Sequence, residues 1–511
     1  MDNFPWLSVM LLVPLVGAAL IAALPSALAA RAKELALVFS LATLAVGVGA
    51  VLNFDANDFS AYQLTEVHTW ISSFGASYAL GVDGIALSLI VMATILAPVC
   101  ILAAWNDVPE GGTREKNYFA LLLLLLTFMV GVFAASDVFL FYVFFEAMLI
   151  PLYFLIGSYG GAGRQAAALK FILFSLAGGL VMLVAVIGLY FQGPRGDQGF
   201  LIQNLVGLPI DPTTQKWLFI GFFFAFAVKA PMWPVHTWLP DVAATATPAT
   251  TTLLVSVLDK IGTYGMIRFC LQLFPDASEW ATPVVIALAV VSIYYGAMCA
   301  IAQNDLMRLI SYTSISHFGL MIMGIFALTT VSNAGAGIYM LNHGFSTAAL
   351  FLIAGMLIAR RRSGKISDFG GWQKVTPLIA GTFLVAGMAS LALPGMGPFI
   401  GEFLVLNGTF QRYKGVAIVV TPIVVLAAIY ILWMYKRMMT GPAAEGAAAA
   451  DMGWREKFVV APLILSLLFL GFYPKPALDL INPAVQRVLT EVGVSDPAPV
   501  VPATAITGSE K

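Results

Sequence analysis

The chain has 511 residues, of which 60% are hydrophobic and only 10% charged, far from the about 25% charge of soluble globular domains. This composition predicts an all-α, polytopic membrane protein and excludes a water-soluble domain of any size. A net charge of −1 implies no nucleic-acid surface, and the absence of CxxC, Cys/His, Rossmann or P-loop patterns predicts no metal, iron–sulfur or nucleotide site within the chain.

In chain order, the first apolar run follows Asp2 rather than a basic segment, so it reads as a retained helix and not a cleaved signal. A crossing needs ~20 apolar residues. About fourteen segments qualify: 4–24, 34–53, 84–105, 117–135, 137–158, 166–191, 216–240, 249–274, 280–302, 306–329, 333–360, 376–411, 416–438 and 456–474. The polar, aromatic stretch 55–80 is expected as an extramembrane hairpin or interfacial loop, 440–453 as a flexible linker, and the Pro/Val/Ala-rich tail after Pro483 as poorly ordered. Cys100, Cys270 and Cys299 all lie in apolar runs and read as small buried hydrophobes.

Lys and Arg fall unevenly between alternate loops, sixteen on one side and seven on the other. The richer side is expected to face the cytoplasm, which puts both termini on the opposite face. The seventh and twelfth segments are broken, by Pro231 and Pro234 and by PGMGPF (394–399). They lie five crossings apart, an odd number, so equivalent helices would point in opposite directions. That predicts two inverted five-helix repeats. The expected organisation is 1–116 (helices 1–3 with the extramembrane loop), 117–274 (first repeat), 275–440 (second repeat) and 441–511 (linker, last helix and tail).

Ionisable side chains inside apolar segments are the candidate functional residues, because a lysine at the bilayer centre costs ~2.5–3.5 kcal/mol on insertion scales. Lys229 stands just before the first break, at the C-terminal end of a half-helix. Glu402 follows Pro398, in what reads as the first turn of the next half-helix, with the proline at its first position. Each charge would then complement its helix dipole. Glu146 is central in the fifth segment and needs a partner, for which Lys229 is the natural choice. Lys260 is central in the eighth, beside Asp259, and neighbouring helical residues do not face each other. His317 lies among Ser311, Thr313, Ser314 and Ser316, whose hydroxyls are expected to order water along a proton path. His343 is a weaker candidate of the same kind. His236 reads as structural, Asp137 as an interfacial cap, and Asp83 and Arg308 as anchors or caps at segment ends.

Seven stretches carry a resemblance: GVDGIALSL (81–89), FYVFFEAMLIPLYFLIG (141–157), FAVKAPMWPVHTWLPD (226–241), DKIGTYGMIRF (259–269), DLMRLISYTSISHFGLM (305–321), LNHGFSTAALFL (341–352) and PGMGPFIGEF (394–403). Together they are similar to the antiporter-like membrane subunits of respiratory complex I (NADH:quinone oxidoreductase), most closely the chain 4 or chain M type. The resemblance implies a fourteen-helix proton channel built from two inverted repeats. It makes Glu146 and Lys229 a switching ion pair, Lys260 the central proton carrier, His317 the link between halves, His343 a neighbour of that path, and Glu402 the outlet group. It implies no cofactor in this chain, with NADH, FMN, iron–sulfur clusters and quinone in partner subunits. Other membrane subunits of the complex, including neighbouring antiporter-like ones, would be partners in a hetero-oligomer in the lipid bilayer of a bacterial inner (plasma) membrane. Subunits of sodium/proton antiporters or of membrane-bound hydrogenases are the rival reading. Two departures stand out: VAATATPATTT (242–252) replaces a His and a later Glu-Ala-Pro, and Asp259 stands where an apolar residue is common.

Overall fold

In a computed structural model, residues 4–498 are described apart from 57, 59, 109, 445 and 447. The chain opens with α1 (Trp6–Ala23) and α2 (Ala32–Leu52), which pack on each other. The 55–80 stretch is a hairpin, as expected: β1 (Gln63–Ile71) pairs antiparallel with β2 (Ala76–Val82), Val67 opposite Ala79. Then come α3 (Gly84–Ala103), α4 (Thr113–Ala134), α5 (Val138–Ala147), α6 (Leu149–Tyr159), α7 (Arg164–Gln192), α8 (Ile202–Leu205), α9 (Pro212–Lys229), α10 (Trp238–Thr245), α11 (Pro248–Leu253) and α12 (Lys260–Gly265). The remainder is α13 (Pro275–Ala302), α14 (Leu306–Phe326), α15 (Thr330–Arg361), α16 (Trp372–Val375), α17 (Pro377–Ser390), α18 (Gly397–Arg412), α19 (Lys414–Val420), α20 (Ile423–Met439), α21 (Trp454–Phe472) and α22 (Lys475–Val492).

Helix starts follow from local chemistry. A first-turn N–H has no partner within its own helix, and an Asp or Thr side chain placed just before it supplies one. Asp83, Asp137, Asp211, Asp305 and Thr329 all do this, with Pro212 and Pro275 in the first turn of their helices, where a missing N–H costs nothing. Asp137 is thus the cap expected of it, and its other oxygen accepts from Ser77 N at 3.0 Å, joining β2 to α5.

Ten helical segments among the described residues are long and apolar enough to cross a membrane, eleven if α21 and α22, bent by 69°, form one span. The expected fourteen is therefore not reached by continuous helices. Three expected segments, 216–240, 249–274 and 376–411, are helical but interrupted. The first breaks at Ala230–Thr237, where Pro231 and Pro234 lack the N–H that a continuing helix needs. The second carries two π-helical turns, Leu254–Leu258 and Met266–Leu271, on either side of α12. The third stops at Ser390 and restarts at Gly397.

One further expectation is corrected. The stretch that directly follows Pro483 is not loose: Pro483 sits inside α22, an amphipathic helix whose Ile481, Val485 and Val488 are buried against α3 and α15, while the end of the tail, 499–511, lies outside the described residues. Its alternation of apolar and polar residues at helical spacing, not its proline and valine content, sets its structure. The most buried long helices are α14 and α15, which form the centre around which the interrupted segments sit.

Candidate functional site

Each candidate charge lies beside a helix irregularity. In the α5–α6 segment, Pro151 cannot donate to the carbonyl of Ala147, and the helix is interrupted at Met148, two residues past Glu146. Lys229 is the last residue of α9, the dipole-favoured end. Trp238 Nε1 donates to Val228 O at 3.0 Å and Trp233 N to Ser292 Oγ at 2.9 Å, so groups freed by the break are bonded within the protein. Lys260 opens α12 between the two π turns. A π turn shifts the backbone bonding from i+4 to i+5, and Lys260 Nζ donates to Val255 O, five residues earlier, at 2.8 Å.

Lys260 is fully buried, and its Nζ lies 2.7 Å from Nδ1 of His343. An ammonium has only donors, so this contact assigns Nδ1 as acceptor and leaves Nε2–H to donate to Thr347 Oγ1 at 3.2 Å. The Phe318 ring covers Nζ at 4.8 Å. The His343 ring stands edge-on to His317 with centroids 5.2 Å apart. His317 Nε2 lies 3.2 Å from the Tyr430 hydroxyl. The buried Glu402, on α18, lies within electrostatic reach of both Tyr430 and Tyr339. Asn342 Nδ2, one residue before His343, holds Gly397 O at 2.6 Å and so ties α15 to the start of α18. Lys260, His343, His317, Tyr430 and Glu402 therefore form one buried series across α12, α15, α14, α20 and α18.

The other cluster differs. Glu146 Oε1 and Lys229 Nζ have no hydrogen-bond partner among the described residues, so the expected Glu146–Lys229 ion pair is not formed. Lys229 Nζ instead lies over the rings of Phe145 (5.2 Å) and Phe171 (5.5 Å), a cation–π placement that holds an ammonium without a carboxylate. Glu146 Oε1 occupies the space that a Cβ on Gly179 of α7 would fill.

One smaller expectation is also corrected, and others gain partners. Glu402 is the sixth residue of α18, beyond its first turn, and Pro398 is the second, because the helix begins one residue earlier at Gly397. The hydroxyls of Ser311, Thr313, Ser314 and Ser316 all donate to backbone carbonyls, at Arg308, Ile310, Ile310 and Ile293, which leaves their oxygens as acceptors only. Asp83 is a cap for Ala86 N and also a fully buried partner of Arg268, with Arg487 of α22 at 3.2 Å. Arg308 is an anchor as expected, sharing Asp241 with Lys170 at 2.8 and 2.7 Å. His236 packs edge-on against Tyr295.

Residues 135–429 match the family model described as NADH:quinone oxidoreductase/Mrp antiporter, TM. The chain belongs to this family of transmembrane subunits. Among its relatives, the NADH-quinone oxidoreductase subunit M of Mycobacterium tuberculosis is 51% identical over 98% of this chain and 97% of its own length. The subunit of the same name from Rhodobacter capsulatus is 39% identical over 94% of this chain and 96% of its own. A chain of respiratory complex I from Thermus thermophilus superposes with a TM-score of 0.86 at 28% identity, covering 96% of this chain and all of that one. A chain of the Mrp complex from Dietzia sp. shares the fold at TM-score 0.83 and 20% identity, covering 95% of this chain and 98% of that one.

Within this antiporter-family chain, the sequence pointed to every charged member of the series but not to Tyr430, Tyr339 or Thr347. A tyrosine in an apolar segment looks like any amphipathic aromatic. Only long-range packing, such as the 113 residues separating Tyr430 from His317, gives it a role.

Proposed function

We propose that this chain is a proton-translocating membrane subunit of an NADH:quinone oxidoreductase, of the M or chain 4 type, and so part of a translocase without a redox centre of its own. Electron transfer from NADH to quinone would occur in partner subunits holding FMN and iron–sulfur clusters. The observation that carries the reading is the buried series from Lys260 to Glu402, anchored by the 2.7 Å contact between Lys260 Nζ and His343 Nδ1. Buried ionisable groups at membrane depth are costly, and they mark ion or proton pathways.

Lys260, charged, has an imidazole acceptor already in place. When its proton passes to His343 Nδ1, the amine is left neutral and the ring becomes an imidazolium, whose proton then has the edge-on His317 ring, the Tyr430 hydroxyl and Glu402 ahead of it. Lys229 and Glu146 would set the field at Lys260: closing their pair removes a nearby uncompensated cation, and opening it restores one, disfavouring a proton on Lys260. The transfer thus needs a two-state ion pair rather than a redox group. The two-repeat organisation, residues 117–274 on the inlet side and 275–440 on the outlet side, belongs to this reading. So do the bacterial plasma membrane and termini on its non-cytoplasmic side.

Inverted membrane vesicles containing the assembled complex provide the test. Lys229→Ala and Glu146→Ala are each expected to abolish nearly all NADH-driven acidification of the vesicle interior while the complex still assembles. Wild-type pumping by either variant overturns the mechanism. The family model also covers sodium/proton antiporters. Co-purification with a flavin and iron–sulfur arm supports the oxidoreductase assignment, whereas company limited to small membrane subunits supports the antiporter or, with a metal-bearing arm, a hydrogenase.

A further inference from the structure

Asp259 has no place in the series above, yet it is fully buried and neither of its carboxylate oxygens has a hydrogen-bond partner among the described residues. A buried carboxyl group without partners is expensive to keep in that state. Its surroundings show what it faces. One turn further along, Gly262 meets the end of α9: a Cβ there would overlap Ala230 N and lie 2.5 Å from Phe226 O. Residues i and i+3 share a helix face, so Asp259 lies on the side of this segment turned toward α9, whose last residue is Lys229. The charged groups that act on Asp259 are Lys260 and Lys229, and those that act on Lys229 are Glu146 and Asp259. Lys260 is occupied elsewhere, with Val255 O and His343. Among the described residues Lys229 Nζ has no hydrogen bond, and the half-buried Glu146 and the fully buried Asp259, the two carboxyl groups that act on it, each have an oxygen in the same condition.

We infer that Asp259 is a second counter-ion for Lys229: the ammonium rests on the rings of Phe145 and Phe171 and exchanges between Glu146 on one side and Asp259 on the other. The proposal rests on the pathway reading above and adds a residue and a direction to it. When the Glu146 pair opens, the lysine does not simply lose a partner. It carries its charge toward the segment that bears Lys260, where it first drives the Lys260 proton onto His343 Nδ1; Asp259 then breaks its O–H bond and gives that proton to the neutral Lys260 amine, and the carboxylate so formed pairs with Lys229. Beside an unpaired Asp259 the lysine's charge would be uncompensated, and beside a paired one it is matched, so the position of Lys229 sets the field at Lys260 at both ends of its travel. A glycine at 179, which makes room for Glu146, and a glycine at 262, which brings α9 against the Asp259 segment, keep both partners within reach.

The test uses the assembled complex in inverted membrane vesicles, with Asp259→Asn, Asp259→Leu and Asp259→Glu. The Asn and Leu variants are expected to lower pumping per NADH oxidised about tenfold, in line with a coupling between two sites, and the Glu variant to retain most of it. A carboxyl role is separated from a packing role by infrared difference spectra of turnover. The unmutated complex is expected to show a carboxylic-acid stretch giving way to carboxylate bands, lost in Asp259→Asn and lost in Lys229→Ala, where the cation is gone but Asp259 remains. Wild-type pumping in both Asn and Leu variants overturns the inference, as does a difference spectrum unchanged by Asp259→Asn. If Lys229→Ala pumps normally, the pathway reading itself falls. If Lys229→Ala is inactive and Asp259→Asn is not, only the second counter-ion falls.

Discussion

The two buried lysines stand in similar places, each next to a disrupted helix, and their surroundings differ in kind. Lys260 has a backbone carbonyl, an imidazole nitrogen and an aromatic face around its Nζ. Lys229 has two aromatic faces and no hydrogen-bond acceptor among the described residues. A cation with two hydrogen bonds and a ring face is held by what surrounds it, and moving it costs every contact at once. A cation resting on ring faces is held by non-directional attraction and can shift between acceptors with little lost. The first region therefore reads as a fixed conduit and the second as the moving part. Both are built from the same elementary device, a lysine beside freed backbone, and they are set apart only by whether the acceptor lies within bonding distance.

The largest expected effect comes from breaking the fixed region. Lys260→Met keeps the volume and removes the donor, leaving His343 Nδ1 buried and unpaired at a cost of about 1–3 kcal/mol. Proton pumping is expected to vanish while the amount of assembled complex falls modestly. Measurable pumping by Lys260→Met would remove the conduit from the account. Tyr430→Phe, which deletes only the hydroxyl 3.2 Å from His317, is the milder version and is expected to slow pumping without altering assembly.

Next in size is the contact between the regions. In Gly262→Ala the new methyl would meet backbone atoms of Phe226 and Ala230, which cannot swing aside as a side chain can. Overpacking of this kind costs about 1–3 kcal/mol, so the yield of assembled, thermally stable complex should fall. Gly179→Ala makes the contrast, since its methyl meets the end of the Glu146 side chain, which can rotate away. Stability is expected to change by about 1 kcal/mol or less, and pumping to drop because Glu146 is displaced. Equal loss of stability in both variants would mean that Glu146 is as rigidly held as the conduit, and the comparison would fail.

How much of this was readable without coordinates follows from what each feature depends on. Lys229, Lys260, Glu402 and the two breaks are local facts: a charge or a proline inside an apolar run is visible wherever it occurs. The β1–β2 hairpin and the caps at Asp137 and Asp83 are also local. His343 looks weaker than His317 in the sequence because nothing in 341–352 reveals a partner that lies 83 residues away. The π turns were invisible for a different reason: they change the bonding register without changing composition. In the C-terminal helix α22 the prolines mask the helical spacing of its apolar residues. Its Arg487 reaches Ser60 O at 2.6 Å, across 427 residues, and Asp83 as well.

The smallest expected effect lies at the rim, where Asp241 of α10 accepts from Lys170 of α7 at 2.7 Å and from Arg308 of α14 at 2.8 Å, clamping the two halves beside the break. Partial burial alone would raise the carboxyl, but the two cations outweigh it and hold Asp241 below the usual aspartate value. A carboxyl whose folded value is depressed contributes its stability above the unfolded value, about 3.9, and loses it as pH falls through the lower folded value. Each partner is about a third exposed, so solvent screening limits the gain to about 1 kcal/mol or less. Thermal unfolding of the purified complex should therefore show Asp241→Asn slightly less stable than the unmutated protein at pH 7, with the gap closing in acid. High salt should narrow it as well. A gap that is constant down to pH 3, or that widens there, would show that Asp241 acts by packing rather than by charge. The rim would then be a third kind of surrounding, neither bonded conduit nor mobile pair.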